Sequence, residues 1–399
     1  MKPGVFAPLR VVNYRWLWIG QFVSMIGDKI NQIAMAMMVY AVTGSMLQMG
    51  LMLGITLLPA ALFGLFAGVY VDRWDRRLTM IGADLVRAAL VALIPFAARF
   101  GLGWIYAIAF VVSSVSLFFV PAKRAIIPDL VPADELMAAN SLDDASEAVA
   151  EFLGLAIGAA LVAFLGHTMA FAVDAASFVF SAIMISRISM PRAVAVASAV
   201  VASVWAEAVE GLRYIWNSHV LRDLIGVYAL AAVFAAGALA LIYALALRRY
   251  DAGAPGVALL DAAVTAGTIM GALAVGRSGV GKPGVKFLVG IACFGLCIGG
   301  LAFAGTIWVA VPLLVLCGVA NMWFVIPATT ILQTRSADPV RGRVMAASTS
   351  VNRIAMVAGV VAVGALSDTV PLAWVAGAVG GGAMLAALAG SLQVSLRKA

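Results

Sequence analysis

Apolar residues run along this chain in long blocks separated by short polar joints, and block length carries the first inference. Twelve runs are each about as long as a helix needs to be to cross a ~30 Å hydrocarbon layer. They are 15–41, 46–71, 78–98, 104–127, 137–165 and 169–188, followed by 221–247, 256–276, 285–304, 306–330, 344–366 and 372–394. None has the dyad alternation of a membrane barrel, and backbone facing lipid must satisfy its hydrogen bonds within its own segment, so each run is expected to be an α-helix. The predicted fold class is an all-α membrane protein of twelve transmembrane helices in two pseudo-symmetric six-helix halves.

The joint between the sixth and seventh runs differs from the others. It is more polar, and Val204, Trp205, Ala208, Val209, Leu212 and Ile215 recur there at helical spacing, with Glu207, Glu210 and Arg213 between them. That pattern predicts an amphipathic helix along the membrane surface. The expected organisation is a first half at 1–188, a connector at 189–220 and a second half at 221–399.

The halves resemble each other within this one chain. Phe118 to Ser141 contains Pro121-Ala122 and, further on, Met137-Ala138-Ala139-Asn140; Trp323 to Thr349 contains Pro327-Ala328 and Met345-Ala346-Ala347-Ser348. Both copies join the fourth run of a half to its fifth. Two same-sense repeats related by an axis along the membrane normal place a substrate pathway between them near the midplane.

Composition agrees. Hydrophobic residues make up 64% and charged residues 11% of the chain, where soluble domains carry about a quarter charged residues. The net charge of +7 could suggest a nucleic-acid partner, but the charges lie at run ends in alternating joints. With the amino terminus inside, twenty of the 26 Lys and Arg fall on the cytoplasmic side and only Arg99, Arg248 and Arg249 outside. The expectation is a multi-pass protein of a bacterial-type inner (plasma) membrane with both termini cytoplasmic. No removable signal peptide is read, and the first run is expected to serve as its own insertion signal.

Metal and nucleotide chemistry find little support. Cys293, Cys297 and Cys317 lie in apolar runs as small core residues, and neither His167 nor His219 has a companion at metal-ligand spacing. Gly276 to Pro283, GRSGVGKP, imitates a phosphate-binding loop. Pro283, however, replaces the magnesium-holding Ser or Thr, and a helix precedes it where a strand should. No cofactor, metal site or enzymatic activity is expected.

Ionisable residues inside the runs are the candidates for function, because a charge at the bilayer centre costs at least ~2.5 to 3.5 kcal/mol and needs a partner, water or a purpose. Asp28 lies midway along the first run, with Lys29, Asn31 and Gln32 after it. Adjacent helical residues point about 100° apart, so Asp28 is expected to face a cavity or another helix in preference to Lys29. The fifth run carries Asp143, Asp144, Glu147 and Glu151, of which Asp143, Glu147 and Glu151 form one stripe at i, i+4 and i+8. Crowded carboxylates in a low dielectric favour protonation, as proton coupling requires. Asn352 and Arg353 are the counterpart in the eleventh run, with Asp28, Glu147 or Glu151 as possible acids for Arg353. Asp84 and Arg87, at i, i+3, read as structural, paired with each other or with the 72–77 turn, and Asp174 and Asp261 as single helix-end or packing acids.

Between the second and third runs lies GVYVDRWDRRLTM, Gly68 to Met80, a basic joint in which Gly68 permits close helix approach. Its order Gly68-x-x-x-Asp72-Arg73-x-x-Arg76-Arg77 resembles the loop signature of the major facilitator superfamily, except that Asp75 stands where a second Gly is usual. The resemblance implies a cytoplasmic latch formed by Gly68, Asp72, Arg73, Arg76 and Arg77. SMIGDKI in the first run, VTGS after it, the Pro-Ala series, Phe171 to Phe178 and the Gln333 to Met345 segment are similar to the drug-proton antiporter branch, which includes macrolide efflux proteins and the enterobactin exporter. That branch usually carries a Gly-Pro element in the fifth run; here Gly154 and Gly158 are present without the proline.

The resemblance implies a monomeric secondary transporter in a lipid bilayer, working by alternating access and exchanging an amphipathic small molecule (drug, macrolide or siderophore-like) for protons. On that reading Asp28, Asn31, Gln32, Asp144, Glu147, Glu151, Asn352 and Arg353 line the substrate and proton cavity. Two alternatives stay open at this point: a lysophospholipid or lipid flippase of the same fold, and a non-transporting membrane receptor or scaffold.

Overall fold

A computed structural model of the chain describes residues 6–71, 74–189, 204–277, 282–337 and 340–397. Among them there is no strand. The helices are α1 (Val12–Thr43), α2 (Met46–Val71), α3 (Arg76–Ala97), α4 (Leu102–Leu130), α5 (Leu136–Ser186), α6 (Val204–Asn217), α7 (His219–Ala244), α8 (Gly253–Arg277), α9 (Pro283–Gly300), α10 (Ile307–Arg335), α11 (Arg341–Thr369), α12 (Leu372–Ser391) and the short α13 (Val394–Arg397).

Ten of these are long and apolar enough to cross a membrane. One of the ten, α5, is 51 residues long, twice what a bilayer needs, and it breaks at Gly166, where φ is 79° and ψ 171°. A left-handed φ of that kind is cheap only for glycine, so Gly166 sets the turn between two spans, 136–165 and 167–186. With α1, which is 32 residues long but carries Arg15, Asp28 and Lys29, the described residues contain the twelve spans that hydropathy predicts. The amphipathic connector is there too, as α6.

The internal repeat keeps its place in the fold. Both α4 and α10 are 29 residues long, with Pro121 and Pro327 well past their midpoints, and each is followed after a short turn by the helix that opens with the Met-Ala-Ala copy. Ala122 and Ala328 are fully buried at corresponding positions.

By its packing the chain divides into two compact units, residues 1–39 with 63–200 and residues 40–62 with 201–399. The divisions fall inside α1 and inside α2. In the first unit α3 packs on α4 and α5, over a core that includes Tyr14, Leu17, Met80, Phe119, Ile126 and Ile185. In the second, α7 packs on α11 and α12, α8 on α10, and α9 on α10 and α12. Large apolar side chains stay exposed along the spans, among them Phe152, Phe164, Leu273, Leu296 and Leu385. Exposed apolar side chains of this kind are compatible with a hydrocarbon surrounding.

The joint after α7 is built on special backbone. After α7 the chain makes a π-helical turn at Leu245–Arg249 that presents Arg248 and Arg249 side by side. Asp251 follows in the left-handed region at φ 47°. The Gly276 to Pro283 segment lies between α8 and α9, with Pro283 as the first residue of α9 and residues 278–281 outside the described set.

A buried charge cluster and the candidate site

α1 organises the first unit. Its Tyr14 hydroxyl donates to the Ala139 carbonyl at 2.9 Å, its Trp18 Nε1–H to Ser146 Oγ at 2.8 Å and its Lys29 Nζ to Glu151 Oε1 at 2.7 Å, all on the first arm of α5. On the second arm, Ser181 Oγ accepts from Gln21 Nε2 at 2.9 Å. Glycines bring the backbones this close. A Cβ at Gly154 would stand 2.8 Å from the Ile26 carbonyl oxygen, and one at Gly27 only 2.1 Å from Ser177 Oγ and 2.5 Å from Asp174 Oδ1. Small residues at a helix crossing permit that approach.

Six of the eight candidate cavity residues belong to the first unit. Asp28 is exposed although Gly27 and Ile30 beside it are buried, and the charges acting on it are those of Arg87, Lys29 and Lys123. Asn31 keeps a buried Oδ1 with no hydrogen-bond partner, and Gln32 is half-buried. Asp144 and Glu147 are exposed on α5, whereas Glu151 is held by Lys29 and Asp143 by Lys123 Nζ at 2.8 Å. The acidic stripe is thus divided: two of its members are neutralised by lysines from α1 and α4, and Glu147 lies between them. Asn352 and Arg353 belong to the second unit. Asn352 also has a buried, unpartnered Oδ1. Arg353 has no ion pair among the described residues, and its charge acts on Tyr228.

The densest charge lies elsewhere. Asp84 and Asp174 are 0% exposed and Arg87 3%. The Arg87 Nη2–H donates to Asp84 Oδ1 and Nη1–H to Ser116 Oγ at 3.5 Å. Its guanidinium carbon lies 4.5 Å from the ring centroid of Phe119 and 4.2 Å from that of Phe178, so aromatic faces replace water on this cation. The Ser177 hydroxyl is shared between the Asp174 carbonyl at 2.8 Å and Asp174 Oδ1 at 3.3 Å. Asp84 Oδ2, Asp174 Oδ2 and Arg87 Nε have no hydrogen-bond partner. The charges of Asp28, Arg87 and Asp84 all act on Asp174.

At the latch joint, Asp72 and Arg73 lie outside the described residues and Gly68 sits in α2 near its end. Asp75, where the superfamily signature has glycine, caps α3: its Oδ1 accepts from the Leu78 N–H at 2.9 Å. Arg76 reaches Asp129 at 2.5 Å and the Ala125 carbonyl at 2.9 Å near the end of α4. Arg77 donates to the Ile185 carbonyl at 3.2 Å and to that of Ser186 at the end of α5. Both arginines therefore complete carbonyl-rich helix ends within the first unit, where cations are favoured by the helix dipole.

The family model described as transmembrane secretion effector, one of the major facilitator models, matches residues 3–399. The chain belongs to that family of transporters. Among curated relatives, macrolide efflux protein A of Streptococcus pyogenes is 28% identical over 184 residues, covering 45% of each chain. The multidrug efflux pump Tap of Mycolicibacterium fortuitum is 32% identical over 207 residues, covering 50% of this chain and 51% of its own. The chain thus spans about half the length of the curated relatives it matches. Among solved structures, a mutant of the nucleoside transporter NupG aligns with a TM-score of 0.79 at 12% identity, over 96% of this chain and all of its own. A bacterial homologue of the human lysosomal transporter Spinster aligns at 0.73 and 14%, over 97% and 99%. At those identities the two structures establish the major facilitator fold and nothing finer.

For this family member, reading the sequence by stripes located the acids of α5 but not the cluster around Arg87. Asp174 reads as a helix-end acid because the break at Gly166 leaves it early in the second arm. The available signal was its setting: FAVDAASF holds one carboxylate among apolar and small residues, which in a span calls for a partner.

Proposed function

We propose that the protein exports amphipathic small molecules across a bacterial-type plasma membrane in exchange for protons, by alternating access between its two repeats. The observation that carries the coupling is the burial of two carboxylates inside one unit, Asp84 against Arg87 and Asp174 under Gly27, the residue before Asp28, since carboxylates poised in a span can exchange protons. Relatives named for macrolide and multidrug efflux support the direction and the substrate class. Asp28, Asn31, Gln32, Asp144, Glu147, Glu151, Asn352 and Arg353 are proposed to line the pathway. Exposed Asp144 and Glu147 are suited to a substrate with a cationic group. Gly68, Asp72, Arg73, Arg76 and Arg77 are proposed as the cytoplasmic joint that locks and releases.

Both termini are proposed to be cytoplasmic, on the Lys and Arg distribution. Exposed Trp104, Trp308 and Trp374 near the starts of α4, α10 and α12 suit membrane interfaces, where tryptophans anchor on either side. The test is reconstitution in vesicles with an imposed pH gradient and three probes: a macrolide, tetraphenylphosphonium and a lysophospholipid. Gradient-driven movement of the macrolide or the cation is expected. Movement of the lysolipid alone would make the protein a lipid flippase, and movement of none would leave a receptor or scaffold.

A further inference from the structure

Among the described residues of the first unit, charge counting leaves an excess of carboxylates over cations. The titratable groups facing the cluster are Asp28 and Lys29 from α1, Asp84 and Arg87 from α3, Lys123 from α4, and Asp143, Glu151 and Asp174 from α5. Lys123 is taken by Asp143 and Lys29 by Glu151. Among the described residues Arg87 is then the one cation left for Asp28, Asp84 and Asp174, and its hydrogen bonds go to Asp84 and Ser116. Among the described residues Asp174 has no ion pair, and the one side-chain donor near its carboxylate, the Ser177 hydroxyl, is shared with the Asp174 carbonyl, which lies closer at 2.8 Å. A carboxylate that is fully buried with one oxygen unpartnered is costly as an anion and acceptable as an acid.

We propose that the coupling proton is held on the Asp84–Asp174 pair around Arg87, and that Asp28 is the exposed end through which it enters and leaves. This deepens the proton-coupled reading above and rests on it. In the loaded state Asp174 carries the proton as a neutral acid while Asp84 keeps Arg87. To unload, the proton passes to Asp28 and on to water, and the Asp174 anion draws on the free Nε–H of Arg87. No bond other than O–H breaks or forms, and the guanidinium keeps its charge throughout. Phe119 and Phe178 hold the guanidinium plane while its partners change. Gly27 is the cover: α1 passes close enough over Asp174 and Ser177 that a Cβ would overlap both, and Asp28 is the next residue. A small displacement of α1 would therefore open or close the step from Asp174 to Asp28.

The decisive measurement needs no substrate. Infrared spectra of the purified full-length protein, taken across a pH titration, should contain the carbonyl band of a protonated carboxylic acid at neutral pH that fades as pH rises. D174N should remove it. Ser177→Ala, which takes away the hydroxyl that Asp174 Oδ1 shares with the Asp174 carbonyl, should move its disappearance to higher pH, because even a shared hydrogen bond to the carboxylate favours the ionised form. Absence of the band in the unmodified protein, or a band unchanged in both D174N and S177A, overturns the proposal. If D174N does not yield a monodisperse protein, the S177A shift decides.

A transport arm separates the proposal from the reading it rests on. With the macrolide probe, D174N should lose gradient-driven movement by roughly tenfold or more while keeping solute exchange without a gradient, since only the protonation step is removed. A titrating band in a protein that shows no gradient-driven movement at all would sink the coupling reading. Gradient-driven movement in the unmodified protein that survives intact in D174N would sink the assignment of the coupling proton to this pair.

Discussion

Two Asp–Arg pairs, one in each unit, show how differently the same chemistry can be used. In the second unit Asp368, at the end of α11, meets Arg248 at 2.7 Å, with the two side chains 22% and 29% exposed. Its carboxylate also accepts from Ser45 Oγ at 2.6 Å and from the Met46 and Leu47 N–H groups at 2.8 and 2.9 Å, capping the start of α2. Arg248, delivered by the π-helical turn, also donates to the carbonyls of Ser367 at 2.8 Å and Gly44 at 2.6 Å. That pair is fully used and holds backbone in place. The pair in the first unit, Asp84 and Arg87, has side chains 0% and 4% exposed and leaves Asp84 Oδ2 and Arg87 Nε without partners. Spare hydrogen-bonding capacity in a fully desolvated pair adds nothing to stability, and it is what a site that exchanges partners requires.

The sharpest way to break the comparison is to remove the cation from each pair. Arg87→Ala strands a buried carboxylate and should cost about 3–5 kcal/mol, read as a steep fall in thermal unfolding temperature and in monodisperse yield. Replacing both members, as in D84L/R87M, should return most of that stability while gradient-driven transport stays lost. A double variant as unstable as R87A alone would show the pair to be structural.

Asp368→Ala comes next. It removes a helix cap and a part-exposed ion pair, for about 1–2 kcal/mol, and the loss should appear as earlier thermal unfolding with coupling intact. Loss of coupling at undiminished stability would reverse the roles assigned to the two pairs. Gly27→Ala tests the cover over Asp174. Ser177 Oγ is the end of a short side chain that can turn away, so a cost of about 1–2 kcal/mol is expected, together with a changed pH dependence of transport. The smallest effect is expected from Glu151→Gln: its pair with Lys29 is 28% and 36% exposed and should contribute under about 1 kcal/mol, declining with salt. A large stability loss there would mean that α1 is held by charge more than by its glycine crossings.

Much of the architecture could be read before any coordinates. Hydropathy determines spans because a helix is the only way for each block to bury its own backbone in lipid, and the connector helix appears where its periodicity puts it. The Pro-Ala repeats lie at matching depth in α4 and α10. Asp75 departs from the superfamily signature at a position where the fold uses an N-cap.

Side-chain partnerships were less legible. Lys29 is adjacent to Asp28 in sequence yet bonds Glu151 on another helix. Asp368 is one acid near a helix end until the start of α2 is placed against it. Asp174 joins Asp84 and Arg87 only because Gly166 turns α5 back on itself and Gly27 lets α1 close over the second arm.

Length, polarity and the positions of Gly and Pro are local properties, and they sufficed to determine the number of spans, the repeat, the connector and the presence of charge inside the membrane. Which charges meet depends on the rotation and closest approach of helices far apart in the chain, and those are set by packing across many residues at once. Only the tertiary structure, therefore, decided that one Arg–Asp pair would be a satisfied staple and the other a buried pair with capacity to spare.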